Sequence, residues 1–186
     1  MTLSTDPAVD PLARELLQSV VDVARAIFGA QAGSVCLLDE AAGELVFQAV
    51  SGRGEESLVG RRFPAGRGIA GWVAASGEPM VVDDLVASRT FDRAFAESTD
   101  YVPNALMAAP LTHGGRVLGV LEVLDPAPQV RPGLPELDLL AMFARQAAAA
   151  LRVLAERGTP APRPAPDRAA ALGLLADLEE LLRRQP

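Results

Sequence analysis

The sequence predicts an α+β fold in which a helix stands at each end of a set of antiparallel strands. Apolar residues recur every three or four positions in residues 11–28 and again in residues 136–157, which is the period of a helix. Between these segments apolar residues recur at every second position, as they do in strands. The pair Gly114-Gly115 separates two apolar runs and predicts a tight antiparallel hairpin, because glycine tolerates the positive φ of such turns.

The first helix is predicted over Pro11 to Phe28, and Gly29 is the residue expected to end it. Spacings of three and four place five apolar side chains on one side of this helix. The helix is therefore predicted to be amphipathic, and its apolar side consists of Leu12, Leu16, Val20, Val23 and Ile27.

Two strands are predicted next, Ser34–Asp39 and Glu44–Ser51, with a turn at residues 41–43 between them. Gly68–Ser76 then has the composition of a short helix, and Pro79–Leu85 that of another strand. Alternation along the second strand predicts that three apolar residues share one face, namely Leu45, Phe47 and Ala49.

The second half of the chain begins with an irregular stretch, Ala87–Pro103. The strands Ala105–Thr112 and Val117–Asp125 follow, and Glu136–Arg157 is the second long helix. Apolar residues with heptad spacing form a seam along this helix. The helix packs on the domain's own sheet or pairs with a second chain, and it can do both with different stripes. The dimer-helix candidates on this seam are Leu137, Leu140, Ala144, Ala147, Leu151 and Leu154.

Four regions follow from this organisation. We expect residues 1–11 to form a disordered tail and residues 12–157 to form the folded domain. We expect the proline-rich residues 158–166 to be a semi-rigid linker. Residues 167–184 predict an amphipathic helix that packs on the domain, on a second subunit or on a partner.

Composition excludes several classes of function. The net charge of −7 disfavours binding to nucleic acid, which needs a basic face. The chain contains no lysine, so Schiff-base chemistry and phosphate-loop lysines are excluded. No apolar run approaches the ~20 residues that cross a bilayer, and residues 1–11 lack a signal-peptide pattern. With a single cysteine as well, we expect a cytoplasmic protein that binds neither nucleic acid nor membrane.

Four segments in the middle of the chain resemble the GAF domain, a family of small-molecule sensing domains. They are Arg62–Val73, Gly77–Asp84, Ala105–Leu111 and Gly119–Val123, and they occur in the order and at the spacing usual in that family. The resemblance covers roughly Leu12 to Arg157. It implies a central antiparallel sheet of five or six strands, with the N- and C-terminal helices on one face, often as a dimer bundle. The other face would carry irregular elements over a ligand pocket.

The candidate pocket residues come mainly from this other face. Arg67 stands beside the start of a predicted helix, whose backbone N–H groups could hold an anionic group of a ligand. Aromatic residues in the irregular stretch either wall a pocket or seal the core. An aspartate pair after a strand either binds ligand or caps a turn. The candidates are Arg67, Trp72, Asp84, Phe91, Phe95, Tyr101 and Met107.

Motifs for known cofactors are weak, so the ligand is left unknown. Gly66-x-Gly68-x-x-Gly71 matches the dinucleotide fingerprint in form, but no buried strand precedes it, and a turn into a helix explains it better. The cyclic-nucleotide-binding members of the family carry an Asn-Lys, Phe, Asp-Glu signature, which this chain lacks.

The single cysteine and the single histidine limit enzymatic and metal chemistry. Cys36 lies in a predicted strand, where a buried apolar role is expected, and His113 lies at the hairpin tip. Neither suits bilin attachment, haem or a metal site. One branch of the family reduces free methionine sulfoxide with two or more cysteines, and this chain has one. We therefore predict no enzymatic activity.

The sequence predicts a stand-alone sensory or regulatory domain. It would bind an unidentified small molecule and signal through dimer helices or a partner protein. The alternative is a scaffold without ligand, whose pocket is filled by residues such as Met80, Leu106 and Met107 and which acts in dimerisation or protein interaction.

Overall fold

The computed structural model describes residues 10–99, 101–128 and 135–158. The chain divides into two compact units, Met1–Ala155 and Glu156–Pro186, and the sheet belongs to the first. The greater part of the predicted tail, the proline-rich linker beyond residue 158 and the predicted C-terminal helix lie outside the described residues.

Within the described ranges, six strands form one antiparallel sheet, which confirms the predicted α+β fold class. The order across the sheet is β3-β2-β1-β6-β5-β4, so β1 and β6 are the central pair. The strands are β1 (Ala32–Asp39), β2 (Glu44–Gly52), β3 (Arg62–Pro64), β4 (Met80–Val82), β5 (Leu106–His113) and β6 (Arg116–Leu124).

Two long helices and three short ones accompany the sheet in the part of the chain that the structure describes. The short elements α2 (Glu55–Leu58), α4 (Arg93–Glu97) and β3 were not predicted, because three to five residues are too few to show a period. The strand β4 is shorter than predicted. The helices are α1 (Pro11–Phe28), α2 (Glu55–Leu58), α3 (Gly68–Ser76), α4 (Arg93–Glu97) and α5 (Glu136–Gly158). Within the described ranges, none of them has the length and apolar character of a membrane span.

The buried face of α1 lies one residue away from the predicted apolar stripe, of which Leu16, Val20 and Ile27 are partly buried against the same cluster. Leu12 is 51% exposed and Val23 is 44% exposed, although both belong to the predicted stripe. Two apolar stripes run along this helix one residue apart, and the stripe that contains alanines is the one that approaches the sheet. The buried face consists of Ala13, Leu17, Val21, Ala24 and Phe28.

The heptad seam of α5 packs within its own domain. Its members join the buried face of α1 in one apolar cluster on one side of the sheet, as the resemblance implied. Leu137 and Leu154 are partly buried against this cluster. The fully covered members of the seam are Leu140, Ala144, Ala147 and Leu151.

The prediction that Leu45, Phe47 and Ala49 share one face of β2 is wrong, because the β1–β2 pair contains a β-bulge. Val35 pairs with Ala49 and Cys36 pairs with Phe47, so Gln48 is the extra residue. Ala49 therefore faces α1 and α5. Leu45 and Phe47 face the opposite side of the sheet, where a second apolar cluster lies beneath α3.

The β5–β6 hairpin has the predicted turn. Gly114 and Gly115 both have positive φ, 57° and 76°, and His113 pairs with Arg116 across them. His113 is exposed at this tip.

Candidate functional site

A cavity of about 100 Å³ lies on the face of the sheet opposite α1 and α5. Strands β1, β2, β5 and β6 form its floor. Helix α2, the start of α3 and the segment 91–99, hereafter the cap segment, form its roof. Most of the wall is apolar, and the apolar side chains that line it include Phe47, Val50, Leu58, Ile69, Phe95 and Leu106.

Aromatic contacts fix the cap segment over the cavity. The ring of Phe95 stacks on Phe47 with centroids 6.1 Å apart, and it lies 5.2 Å from the ring of Phe63. The guanidinium of Arg61 lies 5.3 Å from the ring centroid of Phe95 and donates to the backbone oxygen and the hydroxyl of Ser98. Phe95 thus attaches the roof to strands β2 and β3.

An ion pair closes the roof on its second side. Arg67 precedes α3, and its guanidinium lies 2.7 Å from a carboxylate oxygen of Asp92. Asp92 is also the N-cap of α4, where it accepts a hydrogen bond from the backbone N–H of Phe95 at 3.1 Å. Because Arg67 already has this carboxylate partner, its charge is partly committed before any anionic ligand arrives.

The floor of the cavity contains a buried carboxylate, Glu122. It lies on β6 between Ser34 of β1 and Ala108 of β5 and is 8% exposed. The hydroxyl of Ser34 donates to it at 3.3 Å, and the described residues supply no ion-pair partner for it. Burial raises the pKa of Glu122 to about 7 because the surrounding apolar wall disfavours the charged form.

Sequence reasoning did not single out Glu122. It is the one charged residue inside the apolar run Val117–Leu124, and a charge that interrupts such a run marks a candidate functional residue. A charge in the middle of a central strand is expensive to bury and therefore points to a role.

Tyr101 ties the cavity wall to the end of the sheet. Its hydroxyl donates to Asp125, and burial together with this bond raises the pKa of Tyr101 above its usual value. Asp125 also accepts from the backbone N–H groups of Asn104 at 2.8 Å and Ala105 at 2.9 Å. Its φ is +48°, the only positive value at a non-glycine residue in the described part of the chain.

Replacing Asp125 with alanine removes all three hydrogen bonds and leaves a residue that tolerates positive φ less well. We expect a loss of about 2–3 kcal/mol in the free energy of unfolding, measured by urea denaturation. The variant Asp125→Asn is the control, since asparagine adopts this conformation and keeps an acceptor oxygen. A loss below about 0.5 kcal/mol in Asp125→Ala would contradict this network.

The structure brings together four of the seven predicted pocket residues. Arg67, Phe91, Phe95 and Tyr101 line the cavity. Ligand binding by any of them stays a prediction.

The other three predicted residues lie outside the cavity wall. Trp72 is 41% exposed on α3, because α3 turns residues 69, 70 and 73 toward the sheet instead. Met107 points to the helix side of the sheet, since it alternates with Leu106 along β5. Asp84 caps a turn, where it accepts from the backbone N–H of Ala87 at 3.1 Å.

The cysteine is not part of the cavity wall. Cys36 is fully buried in β1, and burial, with a smaller effect of the Glu122 charge, raises the pKa of its thiol. Among the described residues, no group of three or more His, Cys, Asp or Glu side chains could hold a metal ion.

These features define a class of α+β domains in which one sheet separates a layer of long helices from a small roofed cavity. The chain belongs to the GAF domain family, whose profile matches residues 13–151.

Solved structures share this architecture. The GAF domain of a phosphoenolpyruvate-protein phosphotransferase from Coxiella burnetii superposes with a TM-score of 0.70 at 22% identity, covering 82% of this chain and 89% of that one. The second GAF domain of DevS from Mycobacterium smegmatis superposes with a TM-score of 0.61 at 22% identity, covering 78% of this chain and 96% of that one. Free methionine-R-sulfoxide reductase from Neisseria meningitidis superposes with a TM-score of 0.60 at 25% identity, covering 76% of this chain and 81% of that one.

Proposed function

We propose that this chain is a sensory or regulatory domain that binds a small molecule in the roofed cavity. The observation that carries the proposal is Glu122, a buried carboxylate that faces an apolar cavity without an ion-pair partner among the described residues. Small-molecule sites combine mostly apolar walls with a few placed polar groups, and this cavity has that composition. The family is generally sensory or regulatory, which agrees with the proposal.

Strand β6 offers a direct route from the cavity to the long helices. Glu122 faces the cavity, and its neighbours Leu121 and Val123 face the cluster that contains α1 and α5. A ligand that shifts β6 would therefore change the packing of both helices. The size of that change is limited by the difference in ligand affinity between the two states.

The competing scaffold hypothesis is tested by native mass spectrometry on freshly purified full chain. The variant Ala96→Leu fills the cavity from α4, since Ala96 is buried and lines it. Its matched control is Ala94→Leu, an exposed position on the same helix. We expect a releasable extra mass on wild type and Ala94→Leu and none on Ala96→Leu. Bare protein in all three samples would favour the scaffold.

We further propose that the domain acts as a homodimer and passes its signal through α1 and α5 to the second subunit or to a partner protein. Among the described residues, each long helix has two exposed large apolar residues 11 positions apart, about three helical turns, which places them on one side of that helix. On α1 they are Leu12 and Val23, and on α5 they are Met142 and Val153.

The variant Met142→Glu is expected to convert the dimer to a monomer, because it places a charge in an apolar contact. Sedimentation velocity over a range of protein concentrations measures the change, and we expect at least a tenfold weaker dimer. The control is Val86→Glu, which changes a 69% exposed valine outside both helices. An equal effect of the two variants would contradict a dimer through these helices.

A methionine sulfoxide reductase activity is not proposed, although the Neisseria enzyme shares the fold. The nucleophile of thiol chemistry is the thiolate, which is favoured by a lowered pKa and by exposure. Cys36 has the opposite environment, since it is fully buried and its pKa is raised. The sequence holds no second cysteine to resolve an intermediate.

A further inference from the structure

We propose that the ligand of this cavity carries a protonated amine, which binds the carboxylate of Glu122. The inference rests on the proposed function and adds the chemical class of the ligand. On the floor of the cavity, Glu122 is 8% exposed and receives one hydrogen bond, from Ser34, within the described residues.

The charged groups around the cavity do not neutralise Glu122. The guanidinium of Arg67 is paired with Asp92, and that of Arg53 lies 5.3 Å from the ring centroid of Tyr101. Both arginines are exposed, so they belong to the rim of the cavity. Cys36 approaches Glu122 along the sheet as a buried thiol, which carries no compensating charge.

A buried carboxylate without a cation favours one kind of ligand group. The cost of removing this carboxylate from water is already part of the folded state, so a ligand has only its own group to desolvate. An ammonium group would form a charge-assisted hydrogen bond with it, which is roughly twice as strong as a neutral one. An anionic group at this position would be repelled. A neutral hydroxyl could bond to Glu122 but would leave the charge uncompensated.

The volume of the cavity limits the size of the small molecule that can be used to test this proposal. A cavity of about 150 Å³ is known to hold one benzene molecule, so about 100 Å³ is the size for a small organic molecule. The alkyl part of such a molecule would lie against Phe47, Val50 and Leu106. A short alkylamine fits these demands, and n-propylamine and propan-1-ol form a pair that differs mainly in charge.

The test is a two-dimensional NMR titration of the full chain with n-propylamine and, separately, with propan-1-ol in 0.15 M salt. At pH 8 we expect wild type to bind the amine at least tenfold more tightly than the alcohol. Between pH 8 and pH 6 the affinity for the amine should fall about tenfold, because Glu122 takes up a proton with a pKa of about 7. In Glu122→Gln both preferences should disappear, with circular dichroism showing that the variant is folded.

The possible results distinguish the proposal of an amine ligand from the proposal that the cavity binds a ligand at all. Equal affinity of wild type for amine and alcohol, with loss of both in Ala96→Leu, overturns the amine proposal and leaves the ligand cavity intact. An amine preference that persists in Glu122→Gln also overturns it, because attraction to the net negative chain would then explain it. Failure of wild type to bind either probe, together with bare protein in the mass spectra, overturns both proposals.

Discussion

Replacing Gly119 with alanine is expected to destabilise the domain by more than about 3 kcal/mol, a large effect for the addition of one methyl group. Gly119 lies on β6, and a Cβ atom there would stand 2.1 Å from the backbone oxygen of Cys36 and 3.0 Å from the Cα of Leu37. Both contacts are with the backbone of β1. The two strands are the central pair of the sheet, so neither can move away without breaking its other ladder.

Urea denaturation measures this effect, and Gly66→Ala is the matched control. A methyl group on Gly66 would meet no atom within 4 Å, and the φ of this residue is not in the left-handed region. We expect the control to stay within about 0.5 kcal/mol of wild type. Gly119→Ala should give a strongly shifted transition or no cooperative transition. A loss below about 1 kcal/mol would show that β1 and β6 are not packed this closely.

The second large effect is a dependence of stability on pH that comes from Glu122. Its pKa rises from 4.5 to about 7 on folding, chiefly through burial. Between these values the folded state holds the proton more tightly than the unfolded state, so the contribution of Glu122 to stability is fully present below pH 4.5 and is lost as pH rises to about 7. Over this range, ionisation of Glu122 lowers the free energy of unfolding by about 3 kcal/mol, and its effect does not change further at higher pH.

The difference in unfolding free energy between wild type and Glu122→Gln isolates this contribution. We expect wild type to lose stability relative to the variant from about pH 4.5 to about pH 7.5. Glu78→Gln removes an exposed carboxylate instead and should follow wild type across the range. Parallel curves for wild type and Glu122→Gln would mean that the carboxylate is solvated and does not lie in an apolar cavity floor.

The long elements of the fold were predictable because each contains several periods of its pattern. Helix α1 begins and ends where predicted, since Asp10 caps its first turn and Gly29 adopts the left-handed conformation at its end. The direction in which the helix faces was not predictable. Two adjacent apolar stripes satisfy the same period, and tertiary packing chose between them.

The site depended more on tertiary structure than the fold did. The aromatics Phe91, Phe95 and Tyr101 were found from composition, because large apolar groups in an irregular segment must cover something. Met107 was misplaced because one residue of register along β5 separates the cavity face from the helix face. The bulge that turns Ala49 away from Phe47 has no sequence pattern of its own.

A crystal structure of wild-type protein, purified rapidly and crystallised at a pH slightly above 7, tests the central claim most directly. We expect electron density for a molecule other than water between the cap segment and the sheet, within hydrogen-bonding distance of Glu122. A cavity filled by the side chains of Phe91, Phe95 and Leu106, with Glu122 bonded only within the chain, would contradict a ligand-binding domain and establish the scaffold hypothesis.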